Sequence, residues 1–286
     1  MKINEVQPQD NKFTEVLKTI ALKPKKLYYR GILPETRIKS VAIVGSRKPT
    51  SYGKDIGYKV AHELAQKGII VISGLALGID SIAHTGALEA GGQTIAVLGS
   101  SIDHIYPRTN LALGKQIENG GGAIISEYPP GVTTYPANFL ARNRIVSGLS
   151  DAVVVIEAAT RSGTLSTAAH ALNQGRPVFA VPGNINNPMS AGCNNLIKQG
   201  AMPYTELDDI LAVIAPDKLE QANLAEVIGD NRQENDVLNL IKQGVNDGEE
   251  IIARLKVPVG EFNQTITMLE IKGLVRALGG NKWGLR

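Results

Sequence analysis

From Val41 onward, short apolar runs alternate along the chain with segments of mixed polarity. Six runs are uniformly apolar, which is typical of strands buried on both faces of a parallel sheet. They are VAIVG (41–45), IIVIS (69–73), TIAVLG (94–99), AIISE (123–127), AVVVIE (152–157) and PVFAV (177–181). Helices are predicted between most of them, at 54–67, 79–90, 109–119, 137–148 and 164–174. This order predicts an α/β fold over residues 41–214, with a doubly wound, mostly parallel sheet and right-handed crossovers.

The pattern changes on both sides of this region. Residues 1–40 carry nine basic and four acidic side chains, and we expect a short basic leader that packs on the main domain. Residues 215–230 are interpreted as a linker. Residues 231–286 predict three helices followed by two short strands around a Gly-Gly-Asn turn. This arrangement indicates a winged helix-turn-helix domain.

Composition narrows the functional classes. The chain has 286 residues, of which 43% are hydrophobic and 20% charged, enough for a packed core. A single cysteine excludes a disulfide framework, and four histidines without ligand spacing give no reason to expect a metal. No apolar run approaches the ~20 residues of a membrane span, and the polar start lacks a signal-peptide core, so a cytoplasmic protein is expected. The net charge of +3 permits a nucleic-acid partner without requiring one.

Ligands of a doubly wound sheet bind beyond the carboxyl ends of its strands, so the loops there carry the candidate chemistry. The loop after the first strand, GSRKPTSYG (45–53), contains Gly45, Ser46, Arg47 and Lys48. Its backbone amides and cationic side chains suit phosphate oxygens. The alternative is a capped helix start with solvated basic residues. The spacing is not that of a Walker loop, and the chain has no GxGxxG fingerprint.

The loop after the fifth strand, within EAATRSGTLSTA, leads into an Ala-rich helix. It contains Arg161, Ser162, Gly163 and Thr164. Free amides and the helix dipole at such a position favour a phosphate. The preceding helix carries Phe139, Arg142 and Arg144, and an aromatic ring beside arginines suits a nucleobase and its phosphate. The alternative places Phe139 in the core and the arginines in structural ion pairs.

The sequence leaves the role of one further loop open and gives no sign of a catalytic site. In the loop after the second strand, SGLALGIDSIAH (73–84), Gly74, Gly78 and Asp80 fit either a tight turn with a helix cap or a binding role. No nucleophile–His–acid set and no pair of carboxylates stands out. Glu127 and Glu157 are single acids at strand ends, where such residues often cap helices. No catalytic residue and no cofactor are therefore predicted.

Taken together and in this order, the loops resemble those of the DNA-processing protein A family (DprA, also called Smf). The matching segments are VAIVGSRKPTSYG, VISGLALGIDSIAHTGALEAGGQTIAVLG, SEYPPG, NFLARNRIVSGLSDAVVVIEAATRSGTLSTA, GRPVFAVPGNI and GCNNLIKQGA, spanning roughly 41–201. The resemblance implies an extended Rossmann-like fold that binds single-stranded DNA. It also implies a homodimer, and loading of the recombinase RecA onto incoming DNA during natural transformation.

The resemblance extends to the flanks. Residues 232–286 match the family's C-terminal winged helix. The segment LKTIALKPKKLYYRG looks like the tail of its N-terminal helical domain, most of which we expect this chain to lack.

By motif, the resemblance also assigns site residues. It implies DNA contacts at Arg47, Gly131, Phe139 and the loop from Arg161 to Thr164, while Arg142, Asn143 and Arg144 match its RNR motif. Two positions depart from the family, which commonly has basic residues where this chain has Leu77 and the pair Pro136 and Ala137. Fewer phosphate contacts predict weaker single-strand binding than in a typical member, with a flatter salt dependence.

Two rival functions use the same sheet. The first is a nucleotide-processing enzyme similar to the phosphoribohydrolases of cytokinin activation, whose PGGxGT loop is closely followed by a catalytic Glu. Here no acidic residue occurs from Gly163 to Gln174, which argues against glycosidic hydrolysis. The second is a sensor of a small phosphorylated metabolite. For the winged helix we favour protein interaction over DNA reading, since residues 230–286 carry eight basic and eight acidic residues and 259–271 has no Lys or Arg.

Overall fold

The computed structural model describes residues 2–219 and 229–285. Contacts divide the chain into two units, Met1–Ala215 and Pro216–Arg286. The first unit ends one residue beyond the position at which the sequence predicts the end of the α/β domain. Of the predicted linker, residues 220–228 lie outside the described part of the chain.

The first unit is built on a nine-stranded sheet. Its strands are β1 (Asn4–Val6), β2 (Leu27–Gly31), β3 (Ser40–Val44), β4 (Ile70–Ser73), β5 (Thr94–Leu98), β6 (Ala123–Ser126), β7 (Ala152–Val155), β8 (Val178–Ala180) and β9 (Met202–Pro203). Their order is β1-β2-β6-β5-β4-β3-β7-β8-β9. Strands β3 to β9 pair with one another in parallel, and every residue of β3 to β8 is buried. The six uniformly apolar runs therefore correspond to the two-sided interior of the sheet, as predicted.

Helices follow these strands in the predicted alternation. They are α1 (Ser51–Gln66), α2 (Ile79–Glu89), α3 (Leu111–Asn119), α4 (Pro136–Leu149), α5 (Thr164–Asn173), α6 (Ala191–Lys198) and α7 (Leu207–Ile214). The helix α1 begins at a side-chain cap, since the Thr50 hydroxyl accepts a hydrogen bond from the Gly53 amide at 3.2 Å. The predicted α/β class with a doubly wound, mostly parallel sheet is confirmed.

The order in which strands are added to the sheet reverses between β3 and β7. Successive strands β3 to β6 extend the sheet to one side, and β7 then pairs with the other edge of β3, with Val44 opposite Val155. The connections from β3 to β4 and from β7 to β8 consequently run in opposite directions across the sheet. Such a switch point opens a crevice at the carboxyl ends of the strands, where doubly wound proteins hold their ligands.

Residues 1–40 differ from the expected basic leader. Strands β1 and β2 extend the sheet by antiparallel pairing, with β2 running along β6. Within this segment, TEVLKT forms a short 3-10 helix, Thr14–Thr19, and Phe13 and Leu17 are fully buried in the main core. The predicted boundary at residue 40 is therefore absent, because apolar side chains of this segment belong to the same core as the sheet.

The second unit contains α8 (Arg232–Lys242), α9 (Gly248–Leu255), α10 (Val259–Ile271), β10 (Val275–Gly279) and β11 (Lys282–Leu285). The two strands pair antiparallel around Gly280 and Asn281, and the helices bury a core that includes Leu238, Ile251 and Phe262. Three helices and a terminal hairpin form the predicted winged helix. Within the described ranges, no helix of either unit combines the length and the apolar character needed to cross a bilayer.

Candidate functional site

A cavity of about 460 Å³ lies at the switch point of the sheet. The loops that leave β3, β4, β7 and β8 line it together with α4. Nine of the thirteen residues predicted from the sequence line this cavity: Gly45, Ser46, Arg47, Phe139, Arg142, Asn143, Ser162, Gly163 and Thr164. The topology thus brings together loops more than 110 residues apart in the chain.

The loops that leave β3 and β7 are joined directly. The Thr164 hydroxyl donates a hydrogen bond to the carbonyl oxygen of Gly45 at 2.8 Å. The Ser46 hydroxyl accepts one from the Lys48 amide at 3.0 Å, which shapes the loop after β3. Arg47 lines the cavity and is exposed, whereas Lys48 is exposed outside it. Arg47 can therefore offer an unburied cation to an anion in the cavity.

The helix α5 begins at the cavity wall. Gly163 occupies its N-cap position, where no side chain supplies a capping hydrogen bond. The Thr164 amide bonds the Ser162 hydroxyl at 3.2 Å. A helix start of this kind carries a partial positive charge, so Ser162, Gly163 and Thr164 form the part of the cavity best suited to a phosphate.

The helix α4 presents an aromatic ring and an amide to the same cavity. A side chain at Gly99 would collide with Phe139, so the absence of a Cβ lets Phe139 lie directly over the end of β5. Phe139 is half-buried and keeps part of its ring accessible. Asn143 donates a hydrogen bond from its side-chain amide to the Ser166 hydroxyl at 2.8 Å, which ties α4 to α5.

Arg142 lines the cavity but is committed to the protein itself. Its side chain is buried, and its Nη1 donates hydrogen bonds to the carbonyl oxygens of Gly74, at 2.7 Å, and Val97. Burial lowers its pKa to about 10, against the opposing effect of the carboxylate of Asp80. Because Nη1 donates to carbonyls at the ends of β4 and β5, the structure favours the alternative of a structural arginine. The phosphate contact expected from the sequence stays a prediction.

Four predicted residues do not line the cavity. Arg144 forms a two-pronged ion pair with Glu127, with Nη2 at 2.8 and 2.7 Å from the two carboxylate oxygens. This pair corresponds to the alternative of structural arginines. The Gly131 amide donates to the Asp103 carboxylate at 3.1 Å in the loop that leads to α4. Lys48 and Arg161 are exposed, and neither contributes to the cavity wall.

Glu157, at the end of the fifth predicted strand, holds the start of α1. Its carboxylate accepts hydrogen bonds from the Thr50 amide at 2.9 Å and the Thr50 hydroxyl at 2.6 Å. A side chain at Gly53 would collide with this carboxylate. The start of α1 is thereby directed to Glu157, whereas Gly163 and Thr164 at the start of α5 line the cavity.

The cavity also includes residues left open or missed by the sequence analysis. Asp80 is buried and accepts hydrogen bonds from the amides of Gly74 and Ala76, at 3.1 and 3.3 Å. Burial raises its pKa, while Arg142 and these amides lower it. One of its oxygens fixes the turn after β4, whereas α2 has no side-chain cap, so Asp80 holds the turn without capping the helix. A binding role for this loop stays a prediction. Met189, on the loop after β8, also lines the cavity and carried no signal in the sequence. In the ranges 2–219 and 229–285, no group of His, Cys, Asp or Glu side chains is arranged to hold a metal ion.

Comparisons with known proteins agree with this architecture. The family model described as DNA recombination-mediator protein A matches residues 4–215, and the DprA winged helix domain matches residues 207–281. Protein Smf of Escherichia coli is 39% identical over 275 residues, which cover 92% of this chain and 72% of that protein. DNA processing protein DprA of Bacillus subtilis is 39% identical over 209 residues, covering 73% of this chain and 70% of that protein.

Two solved structures are similar as well. DNA processing protein A of Streptococcus pneumoniae superposes with a TM-score of 0.69 at 39% identity, over 75% of each chain. DNA processing protein A of Helicobacter pylori superposes with a TM-score of 0.66 at 33% identity, over 76% of this chain and 97% of that one. The latter structure is described by its single-stranded DNA binding mode. The family match begins at residue 4, so the N-terminal strands lie within it.

Proposed function

This chain belongs to the DNA recombination-mediator protein A family, and from that premise we propose that it binds single-stranded DNA and mediates recombination without catalysing a reaction. The observation that carries the proposal is the switch-point cavity. There an exposed cation at Arg47, an aromatic ring at Phe139 and the start of α5 surround one space. Cationic groups that hold the backbone, with an aromatic ring for a base, are the combination used by single-strand binders.

Each group has a part in the proposed complex. Arg47 and the positive end of the α5 dipole at Gly163 hold a phosphate, and Phe139 stacks on a base. Lys48 and Arg161 are exposed, and each is the sequence neighbour of a residue that lines the cavity. Their charges attract the DNA backbone from outside the cavity. Gly131 lies on the loop that leads to α4 and has a positive φ of 78°. Nothing lies within 4 Å of the place a Cβ would occupy there, so a strand can approach the backbone closely.

Membership in the family supports a proposal for the wider role. We propose that the protein protects incoming single strands and loads RecA recombinase during natural transformation. We also propose that it acts in the cytoplasm as a homodimer. A loading assay with RecA on strands coated by a single-strand binding protein tests the first part. Light scattering in solution tests the second, with a mass of one chain as the contrary result.

The binding proposal is tested by fluorescence anisotropy of labelled oligo-dT and of a matched duplex at several salt concentrations. We expect preference for the single strand, and a loss of affinity in Arg47→Ala. Its log–log salt slope should be lower by about 0.7, the value for one lost contact with a single strand. The control is Lys115→Ala, which removes an exposed cation from α3. Equal binding by wild type and Arg47→Ala would contradict the proposed site.

A nucleotide sensor or nucleotide-processing enzyme is the second candidate, because a cavity of about 460 Å³ lies within the range of small-molecule sites. Competition separates the two. A mononucleotide that displaces oligo-dT at micromolar concentration favours the small ligand. Displacement by longer strands alone favours the DNA mediator.

A further inference from the structure

A second aromatic ring stands beside Phe139, outside the cavity. Tyr106 is 51% exposed, although tyrosine residues in folded proteins are usually more buried than this. Its ring centroid lies 5.4 Å from that of Phe139, and the two planes are tilted by 49°. The pair therefore continues the aromatic surface from the cavity onto the loop after β5. One ring lines the cavity, and the other is open to solvent.

The loop that carries Tyr106 is firmly held. Ile102 and Ile105 are buried in a core cluster with Leu75 and Ile117. The side-chain amide of Asn110 donates hydrogen bonds to the carbonyl oxygens of Leu75 and Ala76, at 3.0 and 3.1 Å. The Tyr106 ring thus stands on a fixed support. A pre-positioned ring gives up little conformational freedom when a flat group stacks on it.

We propose that Tyr106 is a second base-stacking residue, which receives the base next to the one at Phe139 as the strand leaves the cavity. This inference rests on the proposed function and adds the direction in which the strand runs, toward the loop after β5. Every base offers a π-face, so stacking of this kind is independent of sequence. Arg108, exposed two positions further along the chain, supplies a cation for the accompanying phosphate.

A purely structural role for Tyr106 predicts a different effect of substitution on DNA binding. If the ring only shields Phe139 from water, a leucine of similar reach replaces it. If it stacks on a base, leucine fails and phenylalanine succeeds. The decisive set is therefore Tyr106→Leu and Tyr106→Phe in the full chain. The control is Tyr58→Leu, which removes a partly exposed tyrosine on α1 whose ring centroid lies 5.7 Å from that of His62.

The first measurement is oligo-dT affinity by anisotropy. We expect Tyr106→Leu to weaken binding about tenfold, a typical loss for one stacked base. Tyr106→Phe and Tyr58→Leu should remain within twofold of wild type. The second is photocrosslinking of oligo-dT that carries one 5-iododeoxyuridine, followed by peptide mapping. We expect crosslinks at both Phe139 and Tyr106.

The outcomes separate this inference from the proposed function. Wild-type affinity in Tyr106→Leu, with binding still lost in Arg47→Ala, would overturn the role of Tyr106 and leave the cavity as the DNA site. Crosslinks at Phe139 without any at Tyr106 would overturn it in the same way. A wild-type protein that binds no oligo-dT would overturn the proposed function and this inference together. Thermal unfolding of each variant confirms that it is folded before its affinity is compared.

Discussion

At the residue scale, two arginines that line the same cavity have opposite roles. Arg47 is exposed, whereas Arg142 is buried with Asp80 and two strand-end carbonyls. A buried charge that loses its partner is strongly destabilising, because the remaining charge keeps its desolvation penalty. An exposed charge contributes little to stability, since water replaces its contacts. Their substitutions should therefore separate folding from binding.

We expect Arg142→Met to lower the free energy of unfolding by about 3–5 kcal/mol, since Asp80 and the carbonyls of Gly74 and Val97 lose their partner. Arg47→Ala should change it by less than about 0.5 kcal/mol while weakening DNA binding. Urea unfolding, followed by circular dichroism, measures both. If Arg142→Met unfolds at the wild-type midpoint yet binds DNA poorly, Arg142 is a ligand of the strand after all.

At the scale of elements, the N-terminal segment supports the helix that carries the site. A side chain at Gly148, near the end of α4, would come within 2.9 Å of a Leu17 methyl group and 3.1 Å of Ile20. The 3-10 helix Thr14–Thr19 therefore packs closely against α4. Because Phe139, Arg142 and Asn143 all project from α4, this packing fixes the helix on which the cavity depends.

Truncation of Leu17 tests that support. We expect Leu17→Ala to lower the free energy of unfolding by about 2–5 kcal/mol, the usual range for a buried leucine whose removal leaves a cavity. Leu22→Ala is the matched control, since its side chain is 70% exposed and the expected change is within about 0.5 kcal/mol. Chemical unfolding of both variants gives the comparison. Equal midpoints would show that the segment is dispensable to the core.

The strands around the switch point were predictable, because strands buried on both faces, such as β3 to β8, consist of continuous apolar runs. The pairing of β2 with β6 was not, since nothing local in LYYRG specifies an antiparallel partner almost 100 residues away. The loops of the cavity were predictable as strand-end segments. The inward course of Arg142 was not, because helical periodicity does not show that Gly74 leaves room for a guanidinium.

At the scale of the whole molecule, the second unit has the form of a DNA-binding domain without its usual charge. The inner face of α10 buries Phe262, Ile266 and Leu269. Its outer face exposes Asn263 and Gln264 together with the apolar side chains Val259, Met268 and Ile271, and its charges are Glu261 and Glu270. A helix that enters the major groove needs cations for the backbone and bidentate donors for the bases. We therefore expect this winged helix to contact protein and not duplex DNA.

Duplex affinity across several salt concentrations decides the point. We expect the full chain and a chain of residues 1–215 to bind a duplex equally within twofold, because the second unit makes no phosphate contact. The variant Asn263→Lys with Gln264→Lys should gain duplex affinity, with a salt slope steeper by up to about 0.9 for each lysine that reaches a phosphate. That gain would show that the helix is accessible to DNA and that missing charge limits it. Loss of duplex binding in the 1–215 chain, or in Asn263→Ala with Gln264→Ala, would instead make α10 a reader of DNA that works without cations.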